Sequence, residues 1–145
     1  FLPLIKKFNN NKKIFLDRSS STYTHCQIKN NDVIIDILTK KGFTSYRVEE
    51  LSIEEQIFLF NEASIIVGAH GAAFTNIIFC KPKTKIIEII PESHPSKKCQ
   101  RISKILKLRY KRITTTEINK DKNFPFNILL DKKNLNEIEN IIDLD

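Results

Sequence analysis

The sequence contains no methionine and no tryptophan, and only three glycines and three cysteines among 145 residues. It opens on Phe1 without a methionine, so the expectation is a piece cut from a longer protein. Cys26, Cys80 and Cys99 are too few and too far apart for a disulfide framework or a zinc knuckle, and a reducing compartment fits them. No Asn-x-Ser/Thr acceptor occurs, in agreement with a cytosolic setting. No secretory or transit signal is visible. The stretch Ala63 to Cys80 carries no charge over 18 positions, the length of a membrane span. Ser64, Gly68, His70, Gly71, Thr75 and Asn76 interrupt it, however. The β-branched Ile65-Ile66-Val67 followed by glycine reads as a buried strand, a turn and then a helix.

What is present suffices for one domain with a core and not for two: 41% of residues are hydrophobic and 28% charged. That composition excludes a disordered tail. Lys plus Arg number 24 against 17 Asp plus Glu, a net charge of +7, which raises nucleic acid or an anionic membrane as partners. The excess is lysine, 19 against five arginines, and it accompanies 24 Ile and 13 Asn, a bias of the whole chain. Lys6-Lys7, Lys12-Lys13, Lys40-Lys41, Lys97-Lys98 and Lys132-Lys133 are scattered pairs of the kind found on a solvated face. Nucleic acid is therefore not an expected partner. Peripheral association with an anionic membrane stays open.

Apolar runs and turn residues alternate along the chain. Ile14 to Leu16 reads as a strand, Asn30 as the cap of a helix carrying Ile34, Ile37 and Leu38, and Gly42 as its end. Phe43 to Val48 predicts a second strand. Ser52 and Glu55 have capping-box spacing ahead of a helix with Ile53, Ile57 and Phe60 inward. The third strand is Ile65 to Val67, followed by a short helix from about Gly71 to Phe79 that Pro82 stops, then a fourth strand from Lys85 to Ile90. A lysine-rich helix with Cys99, Ile102, Ile105 and Leu106 inward leads to a strand around Arg109 to Ile113. Residues 115 to 126 read as a loop, Phe126 to Leu130 as a last strand, and Asp131 as the cap of a helix bearing Leu135, Ile138, Ile141 and Ile142. Continuous apolar strands alternating with helices predict an α/β fold: a Rossmann-like, doubly wound, mainly parallel sheet with helices on both faces. Ligands in such sheets sit beyond the carboxyl ends of the strands.

The loop Gly68-Ala69-His70-Gly71-Ala72-Ala73 follows the third strand and has almost no side-chain bulk. A ligand phosphate can approach its backbone, where the helix starting near Gly71 presents free amides and His70 a further donor; close helix-to-strand packing is the other use of such small residues. The loop matches neither the Gly-x-Gly-x-x-Gly fingerprint nor a Gly-Lys-Ser/Thr phosphate loop. Glu88 interrupts four isoleucines, and a buried carboxylate costs several kcal/mol unless paired. It either accepts bonds from sugar hydroxyls at the strand end or stands in water on an edge strand. Arg18 directly follows the first strand, and its planar fork suits a diphosphate or a surface salt bridge. Asn76 and Gln56 each fit a polar core position or a ligand contact.

The string from Glu50 to Phe79, with Ser52, Gln56, Ile65-Ile66-Val67-Gly68-Ala69-His70-Gly71-Ala72 and Thr75-Asn76, followed by Ile87-Glu88-Ile89-Ile90-Pro91, resembles the catalytic domain of glycosyltransferase family 61. The resemblance implies an inverting transferase that takes a sugar from a nucleotide donor, usually UDP-linked, on a GT-B-type fold of two Rossmann-like halves. Family members include capsular-polysaccharide proteins, xylan-decorating transferases and O-linked N-acetylglucosaminyltransferases of the secretory pathway. Residues 14–145 would then be the nucleotide-sugar-binding half of a truncated transferase, and residues 1–13 a linker or the end of the missing N-terminal half, with Asn9-Asn10-Asn11 as a hinge.

By resemblance His70 and Arg18 are the catalytic candidates, and Gly68, Gly71, Ala72, Thr75, Asn76 and Glu88 the donor-binding ones. The amides of Gly71 and Ala72, with His70 and Arg18, would stabilise charge on the leaving diphosphate, while Glu88 holds the ribose or the donor sugar. Inversion needs a general base, and no residue of the sequence could be assigned to it. No clustered carboxylates suggest a metal, so neither metal nor cofactor is expected. The partners implied are a nucleotide sugar and a glycan acceptor. The setting implied is the cytoplasm or the inner face of its membrane, or the secretory lumen in a eukaryote. Two departures stand out: Cys26-Gln27-Ile28-Lys29-Asn30-Asn31 lacks the family's second arginine and the glutamate of its Asn-Glu pair, and Ala73 replaces a common glycine. The lost arginine leaves Lys29 or another lysine as a substitute, and favours the alternative of a non-catalytic nucleotide- or phosphate-binding module or pseudoenzyme.

Overall fold

The computed structural model describes residues 11–21, 25–116, 118 and 126–144. The expected linker and its asparagine hinge lie mostly outside them. Five strands, β1 (Lys12–Leu16), β2 (Thr44–Tyr46), β3 (Ala63–Ala69), β4 (Lys85–Pro91) and β5 (Arg109–Thr115), alternate with four α-helices: α1 (Asn31–Lys40), α2 (Ile53–Asn61), α3 (Lys98–Ile105) and α4 (Lys132–Asp143). All strand pairs are parallel, in the order β2-β1-β3-β4-β5. This is the doubly wound α/β sheet expected from the alternation.

Because side chains alternate across a strand, each face of the sheet has its own core. Phe15, Val67, Ile87, Ile89 and Ile113 pack with Ile34 and Leu38 of α1 and Ile138 and Ile142 of α4. On the other face Ile14, Leu16, Ile66 and Ile86 pack with Leu59 and Phe60 of α2, Cys99 of α3, and Phe74 and Ile77. Lys85 is buried among these strands, and its ammonium donates to the Ile141 and Leu144 carbonyls at the end of α4, where a cation complements the helix dipole. The uncharged run Ala63 to Cys80 resolves into β3 and a 3-10 helix, Ala72–Phe79. No helix among the described residues is long and apolar enough to cross a membrane.

Several local expectations hold and several need correction. The capping box of Ser52 and Glu55 forms, Asp131 caps α4 and is reciprocated by Asn134, and Gly42 ends α1 with φ of 84°. Asn30 does not cap α1; its side chain clasps the backbone of Leu130 through two hydrogen bonds of 2.9 and 3.0 Å. Phe126 to Leu130 forms no strand, only a single parallel bridge between Ile28 and Ile128. β2 is shorter than expected because Val48 already belongs to a 3-10 turn, Val48–Glu50. Ile53 is 61% exposed and Ile105 78% exposed. Ile53 lies in the first turn of α2 beside the solvated capping box. Ile105 follows the buried Cys99 by six residues, about 240° around a helix turning 100° per residue, so it faces water while Ser103 is buried in its place.

β3 runs two residues past the expected end, which makes Gly68 a strand residue rather than part of the loop. A Cβ there would lie 2.8 Å from Leu16 Cβ on β1. Gly68 therefore serves the packing of two strands. Gly68→Ala is expected to lower stability by about 1–3 kcal/mol, the usual cost of overpacking, read as a fall in Tm; an unchanged Tm would show that β1 can shift aside at no cost.

Candidate functional site

The chain leaves β1 toward one side to make β2 and returns to the other to make β3, so the crevice between the carboxyl ends of β1 and β3 is where such a sheet binds ligands. Arg18 follows β1 and His70 follows β3. They meet there, with Arg18 Nη1 donating to the His70 carbonyl. A Cβ on Gly71 would lie 2.5 Å from Arg18 Nη1 and 2.6 Å from its Cζ, so the bare Cα of Gly71 is the seat of the guanidinium.

Three recesses open around Arg18. The largest, about 510 Å³, is walled by Asp17, Ser20, Val48, Gln56, Ala72 and Asn76 among others. A second of about 340 Å³ is walled by His25, His70, Gly71, Ala72 and Lys98. The third, about 240 Å³, takes in Gln27, Lys29 and Asn31. The first two fall in the size range of small-molecule sites. Lys29, which stands where the resemblance lacks an arginine, thus shares a recess with Arg18. Asp17 lines the largest recess. Burial raises its pKa, but hydrogen bonds from Ser19, Asn31 and Arg47 outweigh that and hold it below the ordinary value, so it is ionised.

Glu88 lies behind His70. It is 2% exposed in β4, with Oε1 2.5 Å from His70 Nδ1 and Oε2 accepting from the Tyr110 hydroxyl at 2.6 Å. Burial pushes its pKa up, but the His70, Tyr110 and Cys99 hydrogen bonds more than compensate and the carboxyl stays below its usual range. Both oxygens are thus engaged by side chains. The edge-strand alternative does not hold, since β4 lies between β3 and β5; the partners of Glu88 are internal, and it holds His70.

Two histidines absent from the sequence reading complete the cluster. His25 follows β1 and His94 follows β4, and their rings stand 6.0 and 4.4 Å from that of His70 and 5.1 Å from each other. Arg112 of β5 holds the His94 segment by donating to the carbonyls of His94 and Ser96. Burial, then the neighbouring His70 and His25, pulls the His94 pKa down from 6.5 to about 4; burial, Arg18 and His70 lower that of His25. The signal available in the sequence was position: each lies after a strand that neighbours or contains a candidate residue.

The remaining candidates separate. Gly71 and Ala72 open the 3-10 helix, where the first amides have no intrahelical acceptor, and the His70 amide is taken by Ile89. Asn76 lines the largest recess and donates to Gln56, whose amide in turn bonds the Val48 and Leu51 carbonyls. Thr75 is exposed and accepts from Lys98, away from the largest recess. Two sets of donor atoms lie within 4.8 Å of one another, His25, Cys26 and His94, and His70, Glu88 and Cys99. The Ser96 amide donates to His94 Nδ1, which puts the ring hydrogen on the Nε2 that faces His25, and burial raises the Cys99 thiol pKa.

A family model described as Glycosyltransferase 61 matches residues 2–87. The chain belongs to glycosyltransferase family 61. Among curated family relatives, the beta-1,2-xylosyltransferase RCN11 of Oryza sativa subsp. japonica is 42% identical over 40 residues, 28% of this chain and 8% of that protein. A beta-1,2-xylosyltransferase of Arabidopsis thaliana is 40% identical over 55 residues, 37% of the chain and 10% of the relative. The matched stretches thus span a tenth or less of these relatives' length.

The folded-state pKa of His94 lies below its unfolded value, so the unfolded chain binds more protons between the two. Its contribution to stability is complete above about pH 6.5 and is lost as pH falls toward about 4. Wild-type Tm is expected to decline across that window and His94→Gln to decline less steeply in the same melts; equal slopes would contradict the assignment.

Proposed function

We propose that this family 61 chain is the donor-binding part of a glycosyltransferase that moves a sugar from a nucleotide donor, UDP-linked, to a hydroxyl of a glycan with inversion at the anomeric carbon. The observation that carries this reading is the seat of Arg18: one guanidinium, backed against Gly71, lines both larger recesses at the β1/β3 crevice. A diphosphate there meets a planar fork and the first amides of the 3-10 helix. As the bond to the sugar breaks, negative charge grows on the leaving phosphate, and fixed donors aimed at it lower the barrier. Positive charge already in place needs no reorganisation at that moment.

The nucleoside belongs in the recess of about 510 Å³ that Asn76, Gln56 and Asp17 line. Arg18 is the leaving-group residue. Gly71 and Ala72 act through their amides, Asn76 through orientation. Because the plant relatives are named xylosyltransferases, a xylose donor is the first to test. Neither metal nor cofactor is assigned a role in the transfer.

Titration of the intact protein with uridine and adenosine diphosphates, followed by turnover of a UDP-sugar panel, tests the reading. Uridine diphosphate is expected to bind preferentially, and Arg18→Lys, which loses the fork, to weaken it roughly tenfold, the loss of one charge-assisted bond. Binding without release of UDP from any sugar donor would leave a nucleotide-binding module and contradict the transferase.

A further inference from the structure

Resting on the transferase reading above, we propose that His70 Nε2 is the general base that removes the proton of the acceptor hydroxyl, and that Glu88 is the positioning residue that makes this nitrogen the basic one. An ionised carboxylate only accepts hydrogen bonds. The hydrogen in the 2.5 Å contact between His70 and Glu88 therefore sits on His70 Nδ1, and in the neutral ring the lone pair is on Nε2. Tyr110 donates to the other oxygen of Glu88, which holds the carboxylate from behind and keeps it charged.

The other two rings are committed differently. The Ser96 amide donates to His94 Nδ1 at 3.2 Å, so His94 carries its hydrogen on Nε2, and that Nε2 lies 3.1 Å from His25 Nε2. Those two nitrogens satisfy each other. Among the described residues no bond takes up His70 Nε2. Position agrees with this: His70 lines the recess of about 340 Å³ and is absent from the walls of the one of about 510 Å³, whereas Arg18 and Ala72 line both. A donor lying in the larger recess with its diphosphate on Arg18 leaves the smaller one for the acceptor, with His70 at its wall.

In the step, the acceptor oxygen bonds to the anomeric carbon while its proton passes to His70 Nε2. The bond from that carbon to the diphosphate oxygen breaks, and its electron pair leaves with the nucleoside diphosphate. The imidazolium that results faces Glu88, which stabilises it as the carboxylate of a catalytic dyad does. A proton donor to the leaving group would need hydrogens on both nitrogens of His70 before the reaction, so the two roles have opposite pH dependence.

Steady-state kinetics of the intact protein across pH separates them. The charged and titratable groups around His70 are Glu88 of β4, Tyr110 of β5 on the same carboxylate, Arg18 and His25 after β1, His94 after β4, and Lys98 and Cys99 of α3, and the comparison is made between variants at each pH so that their titration is common to all. The wild-type rate is expected to rise with pH along a limb that His70→Gln abolishes. This variant keeps a donor for the buried Glu88 and so protects the fold. Its kcat is expected to fall on the order of 100- to 10,000-fold, with UDP affinity within about twofold of wild type and part of the lost rate restored by added imidazole. Tyr110→Phe is expected to lower kcat with little change in KM. A kcat for His70→Gln within about threefold of wild type, a rising limb that survives in it, or a wild-type rate that falls with pH along the limb it removes would each overturn the proposal. A wild-type protein that turns over no sugar donor would instead overturn the transferase reading beneath it.

Discussion

A carboxylate 2% exposed inside a parallel sheet is the constraint around which this domain is arranged. Left alone, the Glu88 charge would cost several kcal/mol. It stays ionised because His70 and Tyr110 each give one of its oxygens a hydrogen bond and Cys99 adds a third contact. Those partners come from the exit of β3, from β5 and from α3, so satisfying one buried charge fixes three elements relative to one another. It also decides which nitrogen of His70 carries the hydrogen. A structural requirement and a chemical one are met by the same contacts.

The register of the sheet makes those contacts unavoidable. Leu16, Gly68, Glu88 and Arg112 are neighbours in one row across β1, β3, β4 and β5. Two residues beyond that row, Arg18 leaves β1 and His70 leaves β3, which is why the guanidinium can reach the His70 carbonyl. Gly68 lets β1 come close, and Gly71 lets the guanidinium lie flat. Arg112, at the far end of the row, ties down the segment that carries His94. Arg18 and His70 are thus held by the strands that they follow.

Much of this was legible in the residues. The isoleucine runs, the capping box at Ser52 and the cap at Asp131 placed the strands and helices, and the alternation placed the ligand crevice. Glu88 stood out because a lone acid among isoleucines must find partners. Periodicity could not say whether those partners were a ligand or side chains distant in sequence, and only the register shows Tyr110 and His70 beside it. Gly68 and Gly71 read as parts of one turn of small residues, yet one packs strands and the other seats an arginine. Asn30 had the right position for a cap and used its amide for the Leu130 backbone instead, a contact between residues 100 positions apart. His25 and His94 carried no motif, and position after a strand was the one signal that marked them.

The central claim is that a buried, ionised Glu88 sets the tautomer of His70 at the β1/β3 crevice. Nitrogen-15 spectra of the imidazole side chains at neutral pH, assigned by comparison with His70→Gln, test it most directly. The account predicts a protonated Nδ1 and an unprotonated Nε2 for His70, with that Nε2 resonance moving when a UDP-sugar and acceptor are added together. A His70 ring found with its hydrogen on Nε2 and a bare Nδ1 toward Glu88 would contradict it.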